Sequence, residues 1–339
     1  VIGWYVHHHG AGHRQRLLAV ARHLRTPVTA LGSGPPPAGF DGEWISLPRD
    51  DDDPVDRASA AAGGALHWVP LHHSGLQDRT AAIAAWIASA RPSLFVTDVS
   101  VEVTALARLC GVPVVVFAML GDRHDPAHRL GRTLARALVA PWPAAPDRPG
   151  VDPHTGAGAP VVHVGAFSRF DGRPASAAPR PGTVLVLFGS GGRDVSDADF
   201  RAARAATPGW TWEYRVPGSA EDGAGDDDVW TSLQRAEVVV VHGGHNAVAE
   251  VAAARRPAVV VAQDRPFREQ QRRAELLRAE GLVALDRWPA AADWPALLDR
   301  ARTAGAGPWH RWAPGDGAQR AAAFLDEAAV RDDAARRRP

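Results

Sequence analysis

The sequence predicts an α/β fold built from two parallel-sheet halves. Short β-branched apolar runs alternate with alanine-rich stretches of helical period, the signature of βαβ units. The pattern starts twice, at Val1–Val6 and at Val184–Phe188, across a Pro-, Ala- and Ser-rich stretch, Arg173–Gly182. The chain of 339 residues is long enough for two domains, at roughly 100–200 residues each.

In order, Val1–Val6 reads as a strand, and Arg14–Arg25 as a helix because Leu17, Leu18, Ala21 and Leu24 share one face. Gly32–Pro54 reads as loop and Ala81–Ala90 as helix. Ser93–Thr97 is a second strand run, Val101–Leu109 a helix, and Val112–Phe117 a third run after Gly111. Ala144–Ala159 reads as loop. The second half opens with the strand Val184–Phe188, then helix Asp197–Ala206 and loop Pro217–Asp228. Strand Glu237–Val241 leads to helix Asn246–Ala254. Strand Ala258–Ala262 follows Pro257, and helix Glu269–Ala279 stops at Gly281. Trp309–Trp312 and Gln319–Ala328 suit a closing helix, and Arg331–Pro339 a frayed tail. The expected division is 1–167, a linker 168–182, a second domain 183–307, a closing segment 308–330 and a flexible tail 331–339.

Composition excludes several classes. Thirty-eight basic residues balance thirty-eight acidic ones, so the basic surplus of a nucleic-acid binder is absent. A single cysteine, Cys110, excludes a disulfide framework and multi-cysteine metal sites. No apolar run reaches the ~18–20 residues of a membrane helix, and no basic-then-apolar leader is visible, although a start at Val1 leaves trimming open. A cytoplasmic protein is expected; peripheral membrane contact and oligomeric state stay open. Every positive side chain is arginine. With abundant Ala, Gly and Pro this reads as GC-rich codon usage, so each Arg is weak evidence for a site.

The richest segment is His242-Gly243-Gly244-His245-Asn246-Ala247-Val248-Ala249-Glu250. It leaves an apolar strand and opens a helix, where glycines and the helix N-terminus can receive a phosphate. His242 can add a donor, and Glu250, two turns on, can take ribose hydroxyls. A plain glycine-rich turn is the alternative. Glu269 and Gln270 open the helix after the next strand; they offer acceptor and donor to sugar hydroxyls, or a solvated helix start. Three histidines, His7–His9, could hold a metal, but zinc needs ligands converging from several elements. The acid runs Asp50–Asp53 and Asp226–Asp228 read as solvated turns rather than cation sites.

The spacing His-x-Gly-x-Asn-x-x-x-Glu, followed about twenty residues later by Glu269-Gln270, resembles the donor signature of GT-B glycosyltransferases. It is similar to that of plant natural-product glycosyltransferases and to the C-terminal domain of the family 28 peptidoglycan N-acetylglucosaminyltransferase. The resemblance spans Val238–Leu282. It implies a GT-B fold of two Rossmann-like domains facing a cleft. It assigns His242, Gly243, Gly244 and Asn246 to the donor diphosphate, Glu250 to the ribose, and Glu269 and Gln270 to the sugar. His245, Ala247 and Arg273 stand where relatives often carry tryptophan, a small hydroxyl residue and asparagine. Gly189-Ser190-Gly191-Gly192 would face the same phosphates, or form a plain turn. Val229 and Trp230 would lie near the nucleobase, with a core position for Trp230 as the alternative.

His9-Gly10-Ala11-Gly12-His13 looks like the loop that opens the acceptor domain of these transferases. Imidazole, with a pKa of ~6.5, suits a general base near neutral pH. Asp98, at the end of a strand in the same half, is the expected partner for His13, as in the His–Asp dyad of the plant enzymes; capping the helix from Val101 is its alternative. Gly10, Gly12 and Arg123 are assigned to the acceptor side. His72, His73 and the Gly121–Asp125 segment could serve the acceptor too, or be solvated loops.

The resulting expectation is an inverting hexosyltransferase that needs no metal and no cofactor beyond its nucleotide-sugar co-substrate, with UDP favoured. The acceptor is an unidentified small molecule or lipid-linked compound. Rivals are a sugar-nucleotide epimerase of the same fold and a non-catalytic sugar-nucleotide-binding partner. A dehydrogenase is the weakest, because the dinucleotide fingerprint lacks its third glycine and its acidic residue.

Overall fold

The computed structural model describes the chain except residues 10–11, 53–54, 57–58, 146–157, 176, 190, 220–221, 223–227 and 337–339, and the side chains of 332–336. The first sheet contains β1 (Ile2–Val6), β2 (Val28–Gly32), β3 (Glu43–Ser46), β4 (Leu94–Asp98), β5 (Val114–Phe117), β6 (Ala137–Ala140) and β7 (Val161–His163). Its helices are α1 (Gly12–Ala21), α2 (Ser74–Ala90), α3 (Val101–Leu109) and α4 (Pro126–Leu134). The second sheet contains β8 (Thr183–Leu187), β9 (Thr211–Arg215), β10 (Val238–His242), β11 (Ala258–Val261) and β12 (Val283–Leu285). Around it lie α5 (Asp197–Ala206), α6 (Val229–Arg235), α7 (His245–Ala254), α8 (Glu269–Ala279), α9 (Trp294–Ala304) and α10 (Trp309–Trp312). The closing helix, α11, spans Gly317–Arg336.

Both sheets are wholly parallel, ordered β3-β2-β1-β4-β5-β6-β7 and β12-β11-β10-β8-β9. Central strands buried on both faces must be apolar throughout, and Val238–Val241 and Val184–Val186 are fully buried. The order reverses between β1 and β4 in one sheet and between β8 and β10 in the other. Open α/β sheets bind ligands beyond the carboxyl ends of strands at such reversals. Asp98 ends β4 and His242 ends β10. Helix α11 does not pack with the second sheet that precedes it. Ala321, Ala322 and Leu325 join Ile2, Trp4 and Leu17 in the core of the first.

Several expected boundaries need correction. The Gly32–Pro54 loop contains β3, a four-residue edge strand whose exposed ends leave no continuous apolar run to read. The expected tail at Arg331–Pro339 is helical to Arg336, and 337–339 lie outside the described residues. Most of the Ala144–Ala159 loop and part of the Pro217–Asp228 loop also lie outside them, with Asp226 and Asp227. Asp228 is the N-cap of α6, accepting from the Thr231 N–H at 2.7 Å.

Val99, directly after Asp98, sits at φ 62°. A β-branched side chain in left-handed backbone costs about 1–2 kcal/mol. Val99→Gly should therefore raise the free energy of unfolding by about 1 kcal/mol in urea titrations. No gain would mean that the isopropyl group repays its strain by packing.

Candidate active site

His13 lies in the first turn of α1, and its Nδ1 is 2.8 Å from Asp98 Oδ2. The contact is within charge-pairing distance but not aligned as a hydrogen bond. Apo sites commonly hold catalytic contacts this loosely. Ser100, not Asp98, caps α3, its Oγ accepting from the Val103 N–H at 3.3 Å. The Asp98 carboxylate is thus spared for other partners. Asp98 is fully buried, and its second oxygen accepts from the Arg16 guanidinium. Burial alone would raise its pKa, but Arg16 and His13 outweigh burial and hold the carboxyl well below the ordinary range.

Sequence reasoning missed Arg16, which is itself 5% exposed. Its one signal was its place three residues after His13, on the same face of α1. His245, from the second domain, faces the same group. Burial first, then Arg16 and Arg273, hold its imidazole neutral.

Across the cleft, α7 starts at Gly244 with no side-chain cap, so its first N–H groups are open to an anion. His242 Nδ1 accepts from the Gly244 N–H at 3.0 Å. That bond places the ring proton on Nε2, where it can be donated. Burial, then Arg265 and Arg273, push the His242 pKa down to about 4, so it acts as a neutral donor at pH 7. Gly244 is required here, because a Cβ would lie 2.3 Å from the His242 ring. Gly243 faces Gln270 with somewhat more room, a Cβ there meeting Gln270 at 3.1 Å. The β8 loop lies alongside: a Cβ on Gly189 would touch His242 Nε2 at 3.4 Å. The carbonyls of Gly191 and Gly192 accept from Arg265. Ser190 lies outside the described residues, as does Gly10.

Other assigned residues are differently engaged. The Asn246 amide donates to Gln15 Oε1 at 2.7 Å, so this side chain ties α7 to α1 rather than facing open space. Gly12 lets the two helices approach, a Cβ there meeting Asn246 at 3.3 Å. Glu250 is buried and accepts from Arg169 Nε at 2.8 Å. Burial raises its pKa, and Arg169 opposes the rise. Arg169 is half-exposed and can swing away to release the carboxylate to a ribose.

Three further assigned residues have partners of their own. Trp230 is a core residue, 2% exposed, its ring 5.2 Å from Phe170 and its Nε1 donating to the Pro174 carbonyl; Val229 packs at the edge of that cluster. Gln270 is buried, with Oε1 accepting from the Gln263 N–H at 3.0 Å, so it shapes the loop after β11. Of the Glu-Gln pair, Glu269 is the more open, and its carboxylate accepts from Arg273 at 3.1 Å. Arg123 is buried against His128 Nε2 at 2.7 Å, with Phe267 over its guanidinium at 4.8 Å. It joins the domains instead of offering a free cation to an acceptor. The Gly121–Asp125 loop is equally committed: Asp122 pairs with Arg272 at 2.5 Å, and Asp125 caps α4. His73 is no solvated loop residue either. It caps α2, accepting from the Leu76 N–H at 3.3 Å.

The first domain holds a cavity of about 490 Å³, walled by Leu66, Trp68, Leu76, Ile83 and Leu106. His7 lines it, and the His7 ring lies 5.4 Å from that of His13. An apolar chamber of this kind accepts a drug-sized molecule and leads toward the His13–Asp98 pair.

Residues 226–285 match the glycosyltransferase family 28 C-terminal domain. The match runs from α6 through β12. No curated protein matches the chain. Among solved structures, the glycotransferase of kitacinnamycin is similar at 17% identity and a TM-score of 0.65, over 96% of this chain and 98% of that one. MurG of Acinetobacter baumannii is similar at 14% identity and a TM-score of 0.64, over 96% and 99%. A UDP-glucosyltransferase from Polygonum tinctorium is similar at 15% identity and a TM-score of 0.65, over 97% and 98%. Likeness at this identity speaks for the fold. The chain has the GT-B fold of two facing α/β domains, and part of the second matches the family 28 C-terminal domain.

Proposed function

We propose that the chain is an inverting glycosyltransferase that moves a hexose from a nucleotide diphosphate sugar, UDP favoured, to a hydroxyl of an apolar acceptor. The observation that carries the reading is the His13–Asp98 pair at the reversal of one sheet, opposite the family 28 segment at the reversal of the other. The acceptor occupies the first-domain cavity. His13 takes the hydroxyl proton as the oxygen forms its bond to the anomeric carbon, and Asp98 stabilises the imidazolium. The bond from that carbon to the diphosphate breaks on the opposite face, and its electron pair leaves with the phosphate. The α7 N-terminus and His242 Nε2–H receive the developing charge, so the scheme assigns no metal to the diphosphate. The cytoplasmic location belongs to the same proposal; among the described residues no helix is long and apolar enough to cross a membrane.

Calorimetric titration with UDP, TDP, GDP and NAD, with and without EDTA, tests the donor half. EDTA-insensitive binding of UDP or TDP is expected. Glu250→Ala should weaken that binding about tenfold, the loss of one charge-assisted hydrogen bond. It should leave the fold intact, because half-exposed Arg169 stays solvated. Binding of NAD alone, or of none, would overturn the reading; unchanged affinity in the variant would remove Glu250 from the ribose.

A further inference from the structure

The histidine run after β1 and the acid run after β3 lie about forty residues apart in sequence, and the parallel sheet brings them together at one edge. His8 Nε2 is 3.2 Å from Asp51 Oδ2, and His9 Nε2 is 3.3 Å from the same oxygen. One ligand atom from each of the three residues lies within 4.8 Å of the others. A tetrahedral zinc ion, with bonds of ~2.0–2.1 Å to nitrogen and oxygen, separates its ligand atoms by about 3.3 Å. The two nitrogen–oxygen distances already match that edge.

The His8 ring gives a second, independent sign. Its side chain is 4% exposed, yet among the described residues neither ring nitrogen has an aligned hydrogen-bond partner. A buried polar group left in this state needs an explanation. Burial keeps the His8 imidazole neutral, which is its ligand form. Burial would raise the Asp51 pKa, but His8 and Arg49 outweigh it and keep the group a carboxylate.

The neighbouring charges are accounted for. Arg49 donates to Asp51 Oδ2 at 2.8 Å from a half-exposed side chain that can withdraw into solvent. Asp50 lies 3.5 Å from His8 Nε2 and is held by Arg79 at 2.6 Å. Asp52 is 3.7 Å from His73. Asp50 and Asp51 are therefore not the solvated turn expected from the sequence. The convergence from two elements that a zinc site requires is present.

We propose that His8, His9 and Asp51 bind one Zn²⁺ at the rim of the first-domain cavity. Two imidazoles and a carboxylate suit a borderline cation, and three protein ligands leave the fourth position to water. This departs from the expectation of a metal-free chain, and it lies on the acceptor side, apart from the donor diphosphate. The ion fastens the histidine loop to the acidic loop, fixing one wall of the cavity that His8 and His9 line.

A second His–Asp group provides an internal control. His67, Asp125 and His128 also cluster, but Asp125 already bonds both rings, at 3.2 and 2.5 Å, and the Arg123 cation lies against His128. A metal there would meet a fixed positive charge.

The test uses the full chain without a histidine tag, stripped with EDTA. Zn²⁺ uptake is followed by calorimetry and elemental analysis, and Co²⁺ by its visible spectrum. One ion per chain, a tetrahedral cobalt spectrum and a raised thermal midpoint are expected. His8→Ala and Asp51→Asn should each weaken binding at least tenfold, and His67→Ala/His128→Ala should not. His9→Ala removes a ligand from an exposed position and covers the case in which His8→Ala fails to fold. No stoichiometric uptake, or uptake unchanged by the His9 and Asp51 variants, overturns the proposal. None of these measurements reads sugar transfer, so their failure leaves the glycosyltransferase reading where it stood.

Discussion

His13→Ala should lower the rate of sugar transfer by about 10²–10⁴-fold, the usual worth of a positioned general base, while UDP affinity changes by less than about twofold. The two halves of the expectation come from different parts of the structure. The base stands on α1 of the first domain, whereas the groups assigned to the diphosphate stand on β10 and α7 of the second. The fold should survive the change. Asp98 keeps the Arg16 guanidinium when the imidazole is gone, so no buried carboxylate is left without a partner. The variant thus separates chemistry from binding. Single-turnover transfer and calorimetric titration of UDP on the same preparation check it. Loss of UDP affinity would place His13 in the donor site; transfer at the parent rate would remove it from the chemistry.

What the sequence showed follows the range of the physics involved. Helix Val101–Leu109 and helix Asp197–Ala206 have the expected bounds, because period and capping residues are local. The GT-B fold was legible for a similar reason: glycines and a histidine at a strand end carry a short-range pattern that recurs in the family. Edge strands were not legible, since β3 buries little and pairs on one side only. Side-chain roles failed where a long-range partner decides them. Trp230 is consumed by Phe170, Gln270 by the Gln263 N–H, and Arg123 by His128 and Phe267. Arg16 carried no signal but its spacing from His13, because arginine is the chain's only basic side chain besides histidine. The meeting of Asp51 with His8 and His9 depends on β1, β2 and β3 lying in consecutive order, which neither run encodes.

Asp98→Ala should cost stability as well as activity. It leaves the Arg16 guanidinium buried without its carboxylate, and breaking such a pair costs about 3–5 kcal/mol. The double variant Asp98→Ala/Arg16→Met removes the stranded charge as well. Its stability should return to within about 1–2 kcal/mol of the parent, because a well-filled apolar site replaces a buried ion pair at little net cost. Transfer should remain lost in both, since neither orients His13. The parent's pH dependence gives the same pair a second signature. The folded pKa of Asp98 is depressed, so its stabilisation is fully present above the unfolded value of ~3.9 and is lost as pH falls toward the folded one. His242 acts in a different window: the unfolded chain protonates it near ~6.5, the folded chain only near 4. Stability therefore falls first between those values, as the unfolded state takes up the proton, and buried His7 and His128 add to the same fall. Urea unfolding of the parent and the double variant from pH 7 to pH 3 separates the two. The histidine limb should be present in both proteins. Below about pH 4 both should lose stability, because Asp125 and Asp228 are also held below the ordinary carboxylate range, and the loss should be steeper in the parent by the Asp98 contribution. Parallel curves throughout would mean that the buried carboxylate carries no net stability. Its charge, paired with Arg16, would then serve the orientation of His13 alone.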